Sequence, residues 1–571
     1  MLEVGTIVRM NQVVSQKKCA TCGTGFPVLD KDRALLDKMK VYGKYDIPDP
    51  VDCWDCRQQR RQSHRNERNL YPSKCGKCEK DILSIFSPEK EVTVYCPTCW
   101  WGDEFDGLSY GRDYDFSRPF FEQWKELYHE VPRISLIVLG EMVNSDYAHD
   151  AYRLKNCYLT FDGEQAWDCL YGETFYKLKD CMDFLVTYES ELCYETVNCS
   201  NCYNLKFSKF CVNCSESSFL HDCVGCKNCF ACCNLHRAQW CIFNKQYSEQ
   251  EYKKKIAEYG LKGYEALEAF KKEFAEFVAE QPKRAYRGVK NEDVVGDHID
   301  NCKDVYYSFD TVGCRDCRYC TNMAIGANDC MDVDIWGDKL NLAYNCECVG
   351  AGAANLMCDY YVARGAVNVF YSAFCWDSVA DIFGCVGLRH KKRCILNKQY
   401  SEEEYHVMVE RIVAHMRETG EWGQFFPVET SWFGYNETVG HEFYPLSEEQ
   451  VRERGWQWRD VPAREFAKQG YKIPDRIEDV SDLIVGEVLA CEECGRNFKI
   501  TPQELKRLRA FEVPISHKCF NCRHFARRRA KNPRRLWKRE SAKSGKPLFT
   551  SYAPDRPEKV WTVDEYIKEF F

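Results

Sequence analysis

The chain reads as mainly β with α, a duplicated parallel β-solenoid flanked at both ends by treble-clef or zinc-ribbon modules. Three observations predict this. Cysteines recur every twelve residues through the middle, at 157, 169, 181 and 193 and again at 199, 211 and 223. The array that carries them is repeated, because "CIFNKQYSEQEY" from Cys241 returns as "CILNKQYSEEEY" from Cys394. CxxC pairs stand in matched doubles near the two ends.

The 571 residues are 45% hydrophobic and 29% charged, enough for roughly three or four domains and for cores that need no disulfide staples. No secretory leader is visible, and no apolar run approaches the ~20 residues of a membrane span. The expected compartment is the cytoplasm, where the 37 cysteines stay reduced to bind metal or to pack. The net charge of −8 hides a local excess, since Lys518 to Lys546 holds twelve Lys or Arg against one acid, Glu540.

Residues 1–105 form a tandem module with two ligand sets, Cys19, Cys22, Cys53, Cys56 and Cys75, Cys78, Cys96, Cys99. Residues 486–571 form a second tandem module with one set, Cys491, Cys494, Cys519 and Cys522. Two knuckles offering two sulfurs each suit one tetrahedral zinc, so three closed structural zinc ions are expected. Redox-active pairs are the rival reading, but no βαβ context surrounds them. The two modules are copies. "CWDCRQQRRQSHRNERNLY" from Cys53 lies over "CFNCRHFARRRAKNPRRLW" from Cys519 without a gap. Continuing that alignment puts Ser541, Ser544, Thr562 and Glu565 where Cys75, Cys78, Cys96 and Cys99 stand, so the last ribbon is expected to be metal-free.

After the second knuckles, Arg57, Arg61, Arg65 and Arg68 match Arg523, Arg527, Lys531 and Arg534. Spacings of four, four and three place each set on one helix face. Such a face is an electrostatic footprint for phosphate backbones, so nucleic acid or a ribonucleoprotein is the expected partner. The same face would also serve as a solvated surface, or pair with the acidic middle of the chain. Tyr71, Phe525 and Trp537 stand near enough in sequence to stack on bases, or to pack in the core.

Between the modules lie a helical linker (106–144), a first array (145–247), a capping helix (248–290), a second array (291–400) and a second helical linker (401–485). The arrays consist of short strand-like text with turns of Asn, Asp, Ser and Gly. No unit could bury an apolar face alone, whereas stacked coils share a column and leave a wall for protein partners. Cysteine suits that column because it is small and apolar in effect. Cys223, Cys226, Cys229, Cys232 and Cys233 also resemble a ferredoxin cluster run, but Asn234 stands where the proline belongs. Ser248 with Glu251 and Ser401 with Glu404 predict capping boxes, opening helices that cover the solenoid ends. The rung length of the second array stays open.

No phosphate loop, GxSxG or HExxH is present. "DYAHD" (146–150) and "GDHID" (296–300) place His between acids, which suits turns better than catalysis. "DGEQAWD" and "DVDIWGD" would supply acids to a groove on a polymer-cleaving wall. "SHRNERN" from Ser63 faintly suggests a nuclease, and the basic helix explains it more simply. The reading is a zinc-stabilised, non-catalytic binding or scaffold protein. A hydrolase or lyase acting along the solenoid wall, and a structural assembly protein, are the alternatives.

Through "RNERNLYPSKCGKCEKDILSIFSPEK", "YGRDYDFSRPFFEQWKEL", the Asn-Cys array and "CIFNKQYS", nearly the whole chain resembles the Cys-rich zinc-ribbon proteins of small-genome candidate-phyla bacteria. The resemblance implies the ribbon and β-solenoid fold. It also implies cysteines at the four positions held here by Ser541, Ser544, Thr562 and Glu565.

Overall fold

A computed structural model describes residues 11–323, 325–461 and 465–571. Strand (35%) exceeds helix (24%), so the protein is mainly β with helices. Most strands belong to two large, mainly parallel sheets. The first has eleven strands, from Val138–Val143 to Lys245–Gln246, and the second thirteen, from Glu292–Asp300 to Lys398–Gln399. Each closes on an antiparallel pair, Cys241 opposite Gln246 and Cys394 opposite Gln399.

The cysteine period appears as hydrogen-bond register. In the first ladder Leu170 lies between Tyr158 and Met182, twelve residues away on either side. The second ladder steps by twelve at Lys303 and Arg315, by thirteen at Arg315 and Asn328, and again by twelve at Ala380 and Lys392. Mixed steps explain why its cysteines are spaced less regularly.

Every third backbone unit turns left-handed: Asp150, Arg153, Asn156, Leu159, Asp162, Gln165 and onward have positive φ. An L-residue there costs on the order of 1–2 kcal/mol, and Asn and Asp tolerate it best, which accounts for the abundance of those residues in the arrays. Ladder bonds such as Leu170 N–H to Cys181 O (3.0 Å) and Asp180 N–H to Trp167 O (2.9 Å) offset the cost.

In successive twelve-residue units four side chains enter one shared core. Cys199, Cys202, Leu205 and Ser208 are followed by Cys211, Cys214, Ser217 and Leu220, then by Cys223, Cys226, Cys229 and Cys232, all buried. The core is narrow. Where Phe184 enters, Gly172 stands one step before it, and a Cβ there would lie 2.0 Å from the ring. Cysteine has the right size, and its thiol donates to the carbonyl two residues back: Cys181 to Lys179 and Cys211 to Lys209, both at 3.3 Å. Ser208 does the same to Lys206 at 2.8 Å. Burial pushes the Cys211 and Cys223 thiols up, so they stay neutral.

The ladders pack side by side and run in opposite directions. Early Asp150 of the first meets Cys348 and Tyr361, late in the second. Late Phe210 stacks on early His298. The end modules cross over. The N-terminal module sits on the second ladder, where Asp32 pairs with Arg318 and Trp54 donates to Tyr319 O (3.0 Å). The C-terminal module sits on the first, where Arg507 pairs with Asp180 at 2.5 Å. Each module also adds a short parallel pairing: Val94–Tyr95 with Arg133–Ile134, and Val560–Trp561 with Lys283–Arg284.

Both capping boxes form, and they open the helices Glu249–Glu258 and Glu402–Glu418. A further helix, Tyr264–Glu280, buries Phe270 and Phe274 against Phe219 of the first ladder. From Thr419 to Arg459 the chain is mostly irregular, broken by short helical turns, and wraps over the N-terminal module, with Val439 N–H donating to Arg65 O (2.9 Å).

Candidate metal centres and the buried basic helices

Three groups of four sulfurs converge, each with all atoms within 4.8 Å of one another: Cys19, Cys22, Cys53, Cys56; Cys75, Cys78, Cys96, Cys99; and Cys491, Cys494, Cys519, Cys522. Sulfur pairs lie 3.7 Å apart at Cys22 and Cys53, 3.9 Å at Cys78 and Cys96, and 3.8 Å at Cys494 and Cys519. These distances are too long for disulfides. They match the ~3.8 Å edge of a tetrahedron with ~2.3 Å metal–sulfur bonds. Backbone N–H groups point at the sulfurs, as from Cys96 to Cys75 (3.2 Å) and from Cys519 to Cys491 (3.3 Å). Burial opposes ionisation of Cys75, but these amides outweigh it and bring its pKa down to about 6. Each group therefore fits a metal that binds thiolate.

The fourth ribbon keeps the backbone without the sulfurs. Ser541 N–H donates to Lys546 O (2.8 Å) as Cys75 N–H donates to Lys80 O (2.9 Å), and Ala542 N–H donates to Val560 O as Gly76 N–H donates to Val94 O. Glu565 ties this knuckle together instead of the sulfurs. Its carboxylate accepts from Ser541 Oγ (2.5 Å) and Thr562 N–H (3.0 Å). Partial burial opposes its charge, yet hydrogen bonds from Ser541, Ser544 and Thr562 hold its pKa down to about 2.

The eight basic side chains correct the expectation of an outward phosphate-binding face. Only Arg57, Arg61, Arg523 and Arg527 lie on the two helices, Trp54–Gln62 and Phe520–Arg529; Arg65, Arg68, Lys531 and Arg534 follow beyond the helix ends, and both sets turn toward the sheets. Arg57 pairs with Asp332, and Arg61 with Asp334 at 2.7 Å and Asn345 at 2.5 Å. Arg65 pairs with Glu67 and with Glu347 at 2.9 Å, and Arg68 lies 3.6 Å from Glu173. On the other side Arg523 and Arg527 share Asp183, while Lys531 (2.9 Å) and Arg534 (3.5 Å) share Asp310. Arg61 is 0% exposed and Arg523 6%. A guanidinium already buried against a carboxylate cannot reach a phosphate. The pattern is a clasp. The two helical cations of each set grip one ladder, and the last one or two, past the helix end, reach the other. Of the aromatic neighbours, Tyr71 donates to Glu437 (2.6 Å), Trp537 is half-buried and Phe525 is 39% exposed.

The acids singled out for catalysis are also engaged. Asp332 and Asp334 of "DVDIWGD" are the clasp partners; the side chains of Trp336 and Asp338 lie outside the described residues. In "DGEQAWD", Asp162 accepts from Thr174 (2.8 Å), Glu164 pairs with Arg153 and Asp168 accepts from Asn156 (3.2 Å). His149 is fully buried, its pKa lowered to about 3 by burial, and Ile137 N–H donates to its Nδ1 (3.1 Å). Its neighbour Asp150 is raised to about 6 by burial. His298 falls to about 4 for the same reason and stacks on Phe210. In "SHRNERN", Ser63 donates to Gln59 O and Asn66 to Ile85 O, so that stretch is internal too.

A further group, Glu173, Glu442 and His524, converges from three distant segments, so no spacing in the sequence announces it. His524 Nε2 is 3.4 Å from Glu173 and 3.9 Å from Glu442. Arg528 pairs with both carboxylates and Arg68 with Glu173. The two negative charges are therefore already matched by two guanidiniums. A divalent ion would add repulsion, and the imidazole is kept neutral by burial first and by Arg68 next.

No protein-family model matches the chain, and no curated protein does. Among solved structures, a Desulfovibrio desulfuricans G20 chain described as a candidate acetyltransferase aligns at 9% identity, over 50% of this chain and 78% of its own. Its TM-score is 0.09, which carries no argument. Among the described residues no helix is long and apolar enough to cross a membrane.

Proposed function

We propose that the protein is a zinc-stabilised scaffold of the reducing cytoplasm. Two narrow four-sided β-solenoids lie side by side, and the end modules clamp them into one block. Zinc fills the three four-cysteine groups, and the solenoid walls present a rigid surface to protein partners. Register and left-handed corners support the solenoid reading. A strand whose every residue pairs in parallel with the residue twelve later has to coil, and a corner at every third residue makes four sides. The observation that carries the scaffold reading is the clasp itself. The chain uses its strongest cationic faces internally, to tie the two ladders together, at a desolvation cost that only good pairing offsets. A nucleic-acid or ribonucleoprotein partner would instead have to meet outward cations such as Arg529, Arg535 and Lys538.

The test is metal content combined with shape. The protein should carry about three zinc ions, one for each closed four-thiolate site, and small-angle scattering should show one compact particle. Chelation should detach the modules and lengthen the particle. Zinc near zero, or a chelated protein of unchanged shape, would refute the clamp.

A further inference from the structure

The two clasp helices differ on the faces turned away from the ladders. At the C-terminal helix, Phe525 and Ala526 stand open to solvent. At the N-terminal helix, the chain between Gly420 and Trp456 folds back over Cys56, Gln59 and Arg60 and leaves a cleft of about 410 Å³. That volume lies within the ~300–1,000 Å³ of small-ligand clefts.

Three aromatic side chains line the cleft, buried Phe425 and half-buried Phe121 and Trp456. Two guanidiniums line it as well. Arg60 is anchored by Asp52 and keeps 20% of its side chain exposed. Arg454, at the mouth, has no carboxylate partner among the described residues, and it lies 5.1 Å from the centre of the Trp456 ring. Two acids line the same cleft. Glu421 is taken up as a helix cap, accepting from Phe120 N–H (2.9 Å) and Phe121 N–H (2.7 Å), and Glu429 faces solvent at the rim.

Aromatic rings and two forked cations lining one cleft suit a ligand that joins a ring to an anion. Bases stack on aromatic and guanidinium planes, and guanidiniums take phosphate oxygens in pairs. We infer that this cleft binds a phosphorylated nucleoside. The base lies against Trp456, and the phosphate lies at Arg454, the guanidinium with no carboxylate partner among the described residues, with the exposed part of Asp52-bound Arg60 lining the same cleft. The inference is independent of the scaffold reading, because it uses the outer face of the helix and not the clasp.

Calorimetric titration of the full-length zinc-loaded protein with AMP, adenosine and inorganic phosphate tests it. AMP should bind, with adenosine and phosphate each about tenfold weaker or more. Trp456→Ala and Arg454→Glu should each weaken AMP by about tenfold or more, Arg454→Glu at unchanged melting temperature. Trp456→Phe, which keeps a stacking ring, should retain most of the affinity and guards against a folding defect in the alanine variant. The inference fails if AMP, GMP, CMP and UMP all show no binding at millimolar concentration. It fails equally if phosphate alone binds as tightly as AMP, or if AMP ignores both Trp456→Ala and Arg454→Glu.

Discussion

The N-terminal module holds two four-cysteine groups, and the C-terminal module holds one beside a knot of Ser541, Thr562 and Glu565. Both modules keep the same ribbon backbone, and both seat a basic helix on the ladders. The difference separates what a ribbon needs from what a metal supplies. A knuckle needs its corner amides satisfied and its two loops tied together. Four thiolates around an ion do this, and so does one carboxylate that gathers hydroxyls and N–H groups. The metal-free version persists where the ribbon has other support. The strand Val560–Trp561 pairs with Lys283–Arg284, and Tyr566 is buried against the same region.

Removing metal should have the largest effect, and it should be asymmetric. Structural zinc supplies on the order of 10 kcal/mol to a small domain. Cys75→Ala with Cys78→Ala should therefore unfold the second ribbon and strip its protection from hydrogen exchange. Ser541→Ala with Ser544→Ala should leave the fourth ribbon folded. Equal loss of protection in both variants would show that the knot carries as much of its ribbon as the metal does.

The clasp comes next. Asp334→Asn removes the nearer of two charges that face Arg61, a side chain with no exposed surface, and leaves Asp332 at 3.8 Å, so the cost should fall at about 3 kcal/mol, the low end for a broken buried pair. Asp310→Asn leaves Lys531 and Arg534, which keep 12% and 9% side-chain exposure, and should cost less. Chemical denaturation of both variants measures the gap. A larger loss at Asp310 would reverse the assignment of which end is more tightly held.

How much of this was legible in the sequence depends on the distance over which each feature is set. The cysteine period and the doubled CxxC pairs are local patterns, so they point directly at the ladder register and at the four-cysteine groups. The alignment of the ends places Ser541 and Glu565 at knuckle positions, although not the hydrogen bonds they make. The partners of the basic residues are a different matter. Arg57 meets Asp332 across 275 residues of chain, and charge alone does not tell a carboxylate of the same chain from a phosphate of another molecule. The crossing of each module onto the far ladder has no local signature, and neither does the convergence of Glu173, Glu442 and His524.

Within the ladders the two halves should behave alike, and the effects should be smaller. Cys211→Ala leaves a small cavity and should cost on the order of 1–2 kcal/mol. Cys211→Ser should be tolerated at least as well, since Ser208 and Ser217 already donate to carbonyls from core positions. In the four-cysteine groups, filled with zinc as proposed, the same Cys-to-Ser change would remove a ligand. Thermal melts of Cys211→Ser and Cys75→Ser make the contrast. If Cys211→Ser proved as damaging as Cys75→Ser, the ladder thiols would have to be metal ligands after all.

Acid should reverse the ranking of the two ribbons, with the smallest energies and the sharpest sign. Thiolates must be deprotonated to hold metal, so acidification favours release from the second ribbon. Glu565 behaves in the opposite sense to a group that gains a proton on folding. Its folded pKa, about 2, lies below the ~4.3 of an unfolded glutamate, so its contribution is complete above that value and is lost only as pH falls toward 2. Glu565 is only half-buried, and solvent screening limits the gain to a small fraction of what a buried carboxylate would give. Between the pH of metal release and about 4, then, the fourth ribbon should stay protected while the second opens. Hydrogen exchange at Val560 and Trp561 against Val94 and Tyr95, followed on lowering the pH, reads this directly. Glu565→Gln, which keeps the shape and removes the charge, should abolish the pH dependence of the fourth ribbon below about 4 without touching the second. Simultaneous opening of both ribbons at one pH would mean that the modules unfold as wholes and that the knot has no stability of its own.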